Sequence, residues 1–341
     1  MPPPLAIPPL IPHVRYGFRH PHPDWLFFGA ARQALKFLAR NLLSEKPSLR
    51  FVLPAYTCDS VVQALGEAGA PMTFVDIDDT LDFDQTGLSD AMARLSGAEV
   101  AIISTPLLGA PVRNYKALYP ECVVIEDRAQ ALPDADSHAD FQLFSFGPGK
   151  QISGMGGGAL QGAMSLRRQH GALESECNVA SHMALSLAGN LLLGPAWSLV
   201  GQKVTERHTA NALDKEARSI ELFRLCDTRA RWISHSLSTW DGAERSRTSD
   251  TYRNLIPPTL QFDLPPGRPY LRFPVRAQLK APGVSSGRMY EKVVQRAEAS
   301  AGRTLPGARA IMEASFLPTH HRVTAGHVSW YAERLSEMVV A

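Results

Sequence analysis

Val123-Val124-Ile125-Glu126-Asp127-Arg128-Ala129-Gln130 and, shortly after it, Phe144-Ser145-Phe146-Gly147-Pro148-Gly149-Lys150 decide how this chain is read. The first is an apolar run that closes on an acid, the pattern of a buried strand ending in a carboxylate. The second carries an apolar strand-like stretch, 141–146, into a lysine, and the glycine cluster Gly154-Met155-Gly156-Gly157-Gly158 follows. Working outward, short apolar runs at 51–53, 73–75, 100–103 and 122–125 alternate with helical patterns at 30–43, 59–67 and 87–95. The first of those helices carries Ala34, Leu35, Phe37, Leu38, Leu42 and Leu43 on its apolar face. Strands alternating with helices predict an α/β chain whose mostly parallel sheet is flanked by helices.

The rest of the chain has a different texture. Residues 1–24 are Pro-rich and read as an extended arm. Residues 163–237 read as long helical pattern, broken at Gly194-Pro195 and near Gly201. Beyond Arg247, Pro257-Pro258 and Pro265-Pro266 bracket a short segment, a strand is expected over 270–275, and helices over 287–302 and 324–340. The expected domains are the arm at 1–24, a large domain at 25–237 and a smaller C-terminal α+β domain at 238–341.

Composition excludes several classes of function. With 45% hydrophobic residues, 20% charged residues and a net charge of +2, the 341-residue chain is an ordinary globular protein with no basic excess for nucleic acid or acidic membrane. Cys58, Cys122, Cys177 and Cys226 form no CxxC pair, which argues against zinc and disulfides and for a reducing cytoplasm. The N-terminus lacks the basic start of a signal peptide. The most apolar stretch, 183–200, carries Asn190, Gly194 and Pro195 and reads as a buried helix rather than a membrane span. No GxGxxG or GxxxxGK[ST] is present, and the glycine cluster leads into the strand-like Ala159-Leu160-Gln161, not into a helix. Adjacent His320-His321 point apart and make no metal site; Ser145 lacks the GxSxG setting of a hydrolase.

What remains is a lysine and a strand-end acid. A lysine is normally solvated, but at position 150 it lies between an apolar strand and a glycine turn, where desolvation favours the neutral amine that attacks an aldehyde. Pyridoxal 5′-phosphate (PLP) needs such a lysine for its Schiff base, and a carboxylate such as Asp127 to keep its pyridine nitrogen protonated.

The pieces, taken in order, resemble the DegT/StrS-type sugar aminotransferases, fold-type-I PLP enzymes that act mostly on nucleotide-linked keto-sugars. They are Pro54-Ala55-Tyr56-Thr57, Phe74-Val75-Asp76-Ile77-Asp78, Gly109-Ala110-Pro111, Glu126 to Gln130, Phe144-Ser145-Phe146 with Lys150, and Gly156-Gly157. Arg247 with Tyr252, and Leu317-Pro318-Thr319-His320, resemble the family's C-terminal signposts. The likeness is dense over 51–160 and thin after Ala163. It implies that Lys150 and Asp127 are catalytic and that Gln130 contacts the cofactor's ring-hydroxyl side. It further implies that Ser145 and the helix start at Ala31-Arg32 hold the phosphate. His320 is a candidate substrate contact. Four departures stand out: Gly29-Ala30-Ala31-Arg32-Gln33 replaces the usual small Gly/Ser-Thr phosphate turn, and Cys58 falls where relatives place a ring-stacking aromatic, leaving Tyr56 as a substitute. Pro106 stands where many carry histidine. The Gly-Tyr-Asn-x-Arg segment that reaches a neighbouring subunit is not recognisable near Glu206-Arg207-His208.

The resemblance therefore implies a cytoplasmic homodimer that transfers an amino group, with glutamate as the donor by family analogy, to a keto-sugar in a ping-pong Schiff-base cycle. Two alternatives remain open at this point: other PLP chemistry such as dehydration on the same fold, and a non-catalytic regulator built on this scaffold.

Overall fold

The computed structural model describes residues 18–134, 136–147, 149–152, 156–176, 219–281, 283–320 and 323–340. The arm up to residue 17, the apolar stretch 183–200, the 206–208 segment, Cys177, Gly154 and His321 lie outside the described residues.

The chain opens with β1 (Trp25–Phe28), α1 (Ala31–Glu45), β2 (Arg50–Pro54), α2 (Asp59–Glu67), β3 (Met72–Val75), α3 (Gln85–Arg94) and β4 (Val100–Ser104). It continues through α4 (Tyr115–Leu118), β5 (Val123–Asp127), β6 (Phe141–Ser145), β7 (Gly158–Gln161), α5 (Arg167–Gly171), β8 (Ser175–Glu176) and β9 (Arg224–Leu225). These strands make one sheet in the order β3-β2-β4-β5-β6-β7-β1-β9-β8. β3, β2, β4, β5 and β6 run parallel, and β7 is antiparallel to both neighbours, β6 and β1.

Why the central strands read as unbroken apolar runs is now plain, because both of their faces are covered. On one side Phe51, Leu53, Ile103, Ile125 and Leu143 pack against Leu35 and Leu38 of α1. On the other, Val52, Ile102 and Val124 pack with Phe83, Leu88 and Tyr115. α6 (Asp227–Thr239) lies on the large sheet too, its Ala230 and Ile233 clustering with Trp25, Phe27 and Phe144.

The C-terminal part holds α7 (Ala243–Leu255), β10 (Arg272–Val275), β11 (Ser285–Ser286), α8 (Glu291–Ala301), α9 (Pro306–Met312), β12 (Ser315–Pro318) and α10 (Ala325–Val340). Its small antiparallel sheet has the order β10-β12-β11. Tyr252, Phe273, Leu317, Tyr331 and Leu335 form its core, and the Tyr252 hydroxyl donates to the Pro318 carbonyl at 3.1 Å.

Two of the hydrogen-bonded points that fix the small domain to the large one flank an apolar cluster. Asp76 accepts from the backbone N–H groups of Gly307 (3.0 Å) and Ala308 (2.8 Å), the exposed donors at the start of α9. The Tyr56 hydroxyl donates to the Gly287 carbonyl at 2.6 Å. Between them Ile77, Leu107, Leu108, Tyr270, Ile311 and Phe316 are buried together.

Three expectations need correction. Residues 163–237 are not continuous helix, since β8 and β9 lie within them as a parallel pair at the sheet edge. Pairing, not propensity, makes strands of Ser-Glu and Arg-Leu. β1, although the turn at Pro23-Asp24 stands directly ahead of it, escapes the sequence reading altogether. The 287–302 helix begins as a tighter 3-10 turn, Gly287–Tyr290, with Ser286 accepting from the Arg288 N–H at 3.2 Å. Among the described residues no helix is long and apolar enough to cross a membrane.

The junction gives a stability test. A Cβ at Gly307 would overlap the Ile77 carbonyl, so α9 has to retreat from Asp76. Gly307→Ala is expected to cost about 2–4 kcal/mol, combining overpacking with the strained pair of hydrogen bonds. Gly66→Ala, where a Cβ meets nothing within 4 Å, is expected to gain roughly 0.5–1 kcal/mol. Urea midpoints of the two variants check this, and equal shifts would refute the docking account.

Candidate active site at the strand ends

The carboxyl ends of β2, β4, β5 and β6 converge on one edge of the sheet, the place where open α/β sheets hold ligands. Thr57, Thr105, Asp127 and Ser145 stand there, around a cavity of about 270 Å³ that Lys150 also lines. The pleat sends neighbouring side chains to opposite faces. Glu126 therefore points away from Asp127 and is met by Arg128 at 2.6 Å in a buried pair. That pairing leaves Asp127 facing the cavity without a guanidinium of its own. Its Oδ1 accepts from the Ala129 N–H at 3.1 Å. Burial pushes the Asp127 carboxyl above the usual range, while the positive charge of Lys150 and the Ala129 N–H pull it back.

α1 enters from the opposite wall. Its cap residue, Ala30, has no side chain to accept from the first turn. Instead Gln33 Oε1 accepts from the Ala30 N–H at 3.0 Å, so the N–H groups of Ala31 and Arg32 have no acceptor within the helix. Both residues line the cavity. The glycine cluster lets this helix start sit so low: a Cβ at Gly158 would strike the backbone of Ala30 and Ala31. Gly157, at φ +104°, donates its N–H to the Gly29 carbonyl at 3.0 Å. The cluster is thus a seat for the helix that presents the anion site, not itself a phosphate loop.

Gln130 joins the cavity to the small domain. Its Oε1 accepts from the Leu108 N–H at 3.0 Å and its Nε2 donates to the Tyr290 hydroxyl at 3.2 Å. Leu108 has φ 56° and ψ 11°, the left-handed region, which costs a non-glycine residue about 1–2 kcal/mol. Its carbonyl accepts from Leu271 N–H at 2.7 Å. The strained turn therefore has both its polar groups committed, one to the site and one to the small domain. Burial raises the Tyr290 phenol well above its ordinary value, and Cys58, Tyr56 and Asp127 around it act in the same direction.

Of the residues expected from sequence, Lys150, Asp127, Gln130, Ser145, Ala31 and Arg32 come together in this one cavity. Tyr56 does not line it, which corrects its expected role as a ring-stacking substitute. Tyr56 is 1% exposed, its ring lies 5.1 Å from that of Tyr290, and its hydroxyl is committed to Gly287. Cys58 and Thr57 occupy the wall instead. His320 is buried beyond the end of β12, and it too is outside the cavity lining. Pro106 lines a separate pocket, while its neighbours Thr105 and Leu107 face this one.

The sequence reading missed Thr57, Thr105 and Tyr290. Thr105 was findable, because it directly follows an apolar strand at the sheet's carboxyl edge. Tyr290 gave no local signal, lying 160 residues from its partner Gln130. The hydroxyls of Thr57 and Thr105 are buried without a hydrogen-bond partner, although such groups are nearly always satisfied. An occupant with polar atoms would satisfy them. A buried carboxylate, a reachable amine, an open helix start and two orphaned hydroxyls together fit PLP.

Fold and cavity define the class: this is the fold-type-I architecture of PLP-dependent transferases, a mostly parallel sheet with a smaller antiparallel domain. Residues 28–168 match the model of the DegT/DnrJ/EryC1/StrS aminotransferase family, so the resemblance read from the motifs holds over that segment. The fold is shared with NtdA from Bacillus subtilis, solved with bound cofactor PMP, at a TM-score of 0.65 and 17% identity, covering 93% of this chain and 73% of that one. DesV from S. venezuelae, solved with a ketimine intermediate, gives 0.64 at 18% identity, covering 93% and 85%. The E. coli GDP-4-keto-6-deoxy-D-mannose-3-dehydratase, with bound hydrated PLP, gives 0.62 at 13% identity, covering 92% and 86%. No curated protein sequence matches.

The Asp127 environment predicts a conflict between stability and activity. Its raised folded-state pKa means that the fold disfavours the ionised form. The penalty is absent below the unfolded value of about 3.9 and complete above the folded value. Asp127→Asn is therefore expected to raise the melting temperature of cofactor-free protein at neutral pH, the gain vanishing below about pH 4. Thermal unfolding across pH checks it; a lower melting temperature at pH 7 would contradict the assigned strain.

Proposed function

We propose that the chain is a PLP-dependent aminotransferase that moves an amino group from an amino-acid donor to a keto-sugar. The observation that carries this is the meeting of Asp127, Lys150, Gln130, Ser145 and the open start of α1 in one cavity. Glutamate is the donor by family analogy, and a nucleotide-linked sugar the acceptor.

PLP, when bound, supplies a carbonyl that exchanges amines and a ring that accepts an electron pair. The protein's share of the work falls to its own side chains. Ser145 Oγ and the N–H groups of Ala31 and Arg32 offer donors to the phosphate, where the helix dipole favours an anion. Asp127 would hold the ring nitrogen, where its buried negative charge would favour the protonated form. Gln130 orients toward the ring-hydroxyl side through bonds that Leu108 and Tyr290 hold in place. The Lys150 amine would hold the cofactor through its carbonyl and, when free, would carry a proton from the donor's α-carbon.

Lysine at position 150 fits transamination better than it fits those dehydratases of the resembled family that carry histidine there, although others of them keep lysine. The free thiols of Cys58, Cys122 and Cys226 accord with a reducing cytoplasm.

Lys150→Ala is expected to remove the visible absorbance of the cofactor adduct and to lower turnover by about 10³-fold or more, given the loss of both nucleophile and proton carrier. Absorbance spectra with borohydride trapping read this out. A reducible adduct at full stoichiometry in the variant would defeat the assignment, and a wild-type protein that takes up no PLP would defeat the function.

The reading extends to assembly. A symmetric homodimer is the commonest oligomer, and resemblance to fold-type-I enzymes supports a site built at a two-fold interface. Light scattering at assay concentration should give twice the chain's 37.3 kDa; active enzyme at monomer mass would exclude the dimer.

A further inference from the structure

The residue bonded to Lys150 on its C-terminal side is a buried amide, Gln151, only 4% exposed. Its Nε2 donates to the Pro269 carbonyl at 2.6 Å, across 118 positions of sequence and across the boundary between the domains. A carbonyl only accepts, so this bond fixes which end of the amide is the nitrogen. The other end, Oε1, is buried without a hydrogen-bond partner. An unpaired buried acceptor costs as much as one good hydrogen bond supplies, or more. As a tie between domains the amide is therefore poor, and an apolar side chain of equal length would serve stability as well. What it adds is direction.

The Pro269 end of the bond is firmly held. Thr319 Oγ1 donates to the Tyr270 carbonyl at 2.6 Å, and Arg245 Nη1 to the Leu271 carbonyl at 3.0 Å. The same segment meets the large domain again where the Leu271 N–H donates to Leu108. Gly109, at φ +92°, fits between them: a Cβ there would lie 3.3 Å from the Pro269 oxygen and 3.5 Å from Gln151 Nε2. The turn that holds Gln130 and the turn that carries Lys150 thus rest on one stretch of the small domain. The Lys150 end is looser. Its N–H donates to the Gly147 carbonyl at 3.3 Å, a long bond, and Gly149 before it takes φ +75°. Ile152, two residues on, is sunk among Trp25, Phe144 and Phe146. Between the pliant glycine turn and Ile152, the Gln151 amide supplies a directional anchor.

We propose that Gln151 is a positioning residue for Lys150: its bond to Pro269 aims the lysine into the cofactor cavity and makes that aim depend on the docked small domain. This deepens the aminotransferase reading and rests on it. Lys150 has two tasks, bonding the cofactor's carbonyl and carrying a proton, and each needs the amine about 3–3.5 Å from the reacting atom. A displacement of about 1 Å is enough to cost on the order of a hundredfold. The contacts that seat the cofactor without a covalent bond, from Asp127, Ser145 and the start of α1, do not pass through Gln151. Seating and bonding are therefore separable, and Gln151 acts on the second.

The test compares two forms of the cofactor. Pyridoxamine 5′-phosphate carries an amine where PLP carries its carbonyl, so it seats in the cavity without bonding Lys150. Gln151→Met keeps the length of the side chain and removes the donor. Gln151→Asn keeps the amide and falls one methylene short of Pro269. Both variants are expected to bind pyridoxamine phosphate, by calorimetry, within about twofold of wild type, and to form the borohydride-reducible PLP adduct at least tenfold more slowly. In steady state kcat should fall while the donor KM holds. Cofactor-free Gln151→Met should keep or raise the melting temperature, since an unpaired buried acceptor has gone. Adduct formation at the wild-type rate in both variants overturns the proposal and leaves the aminotransferase reading standing. Equal losses of affinity for the two cofactor forms, with a lower melting temperature, overturn it too, making Gln151 a structural tie. A wild type that binds neither form would remove the aminotransferase reading, and this proposal with it.

Discussion

The buried carboxylate of Asp127 is the constraint on which the site depends. A strand that is apolar on both faces carries it to the carboxyl edge of the sheet, where it is buried and the positive charge of Lys150 opposes its own. An ionised acid there is unfavourable for the empty protein and favourable once a cationic ring lies against it. The sheet could have neutralised it with the very next residue, Arg128. Pleat geometry instead commits Arg128 to Glu126 on the other face, where its Nε also donates to the Leu132 carbonyl at 2.6 Å. The run Glu-Asp-Arg thus separates one structural acid from one functional acid by strand alternation alone.

The same economy appears at the anion end. α1 begins without a side-chain cap, an arrangement that leaves a helix about 1 kcal/mol short of its best stability. Gln33 satisfies the Ala30 N–H from within the helix, so the next two donors stay open. Gly158 allows the helix start to rest on β7. Here helix stability and ligand binding compete for the same N–H groups, and the sequence resolves the competition by omitting the Ser, Thr or Asp that would have closed them.

These features were legible in the sequence because they are local. Asp127 ends an apolar run, Lys150 lies between strand and glycine turn, and the helix of 59–67 is bounded as its periodicity implies. The six cavity residues named from sequence each fall within such a segment. What could not be read depends on tertiary contact. β1 is four apolar residues that become a strand because β7 and β9 flank them. Tyr56 belongs to a motif that suggests the cofactor, but Gly287 comes within reach of its hydroxyl and Tyr290 takes its ring face. Tyr290 reaches Gln130 only because α8 docks across α2 and β3. His320 follows a recognisable Leu-Pro-Thr, yet the fold sets it off the cavity wall.

That division has a consequence for substrate choice. Every residue lining the cavity lies between Ala30 and Lys150, inside the segment 28–168 that matches the family. The small domain lies wholly outside it, and contributes its influence through Tyr290 on Gln130 and Leu271 on Leu108. Leu108 holds a conformation that costs about 1–2 kcal/mol, a cost offset only while both neighbours accept or donate to it. A shift of the small domain would therefore loosen the Leu108 turn and Gln130 together. Cofactor chemistry is set by the strand ends, and the small domain is coupled to it through one strained turn and one amide. Substrate recognition can change on this fold without rebuilding the cavity, provided those two contacts are kept.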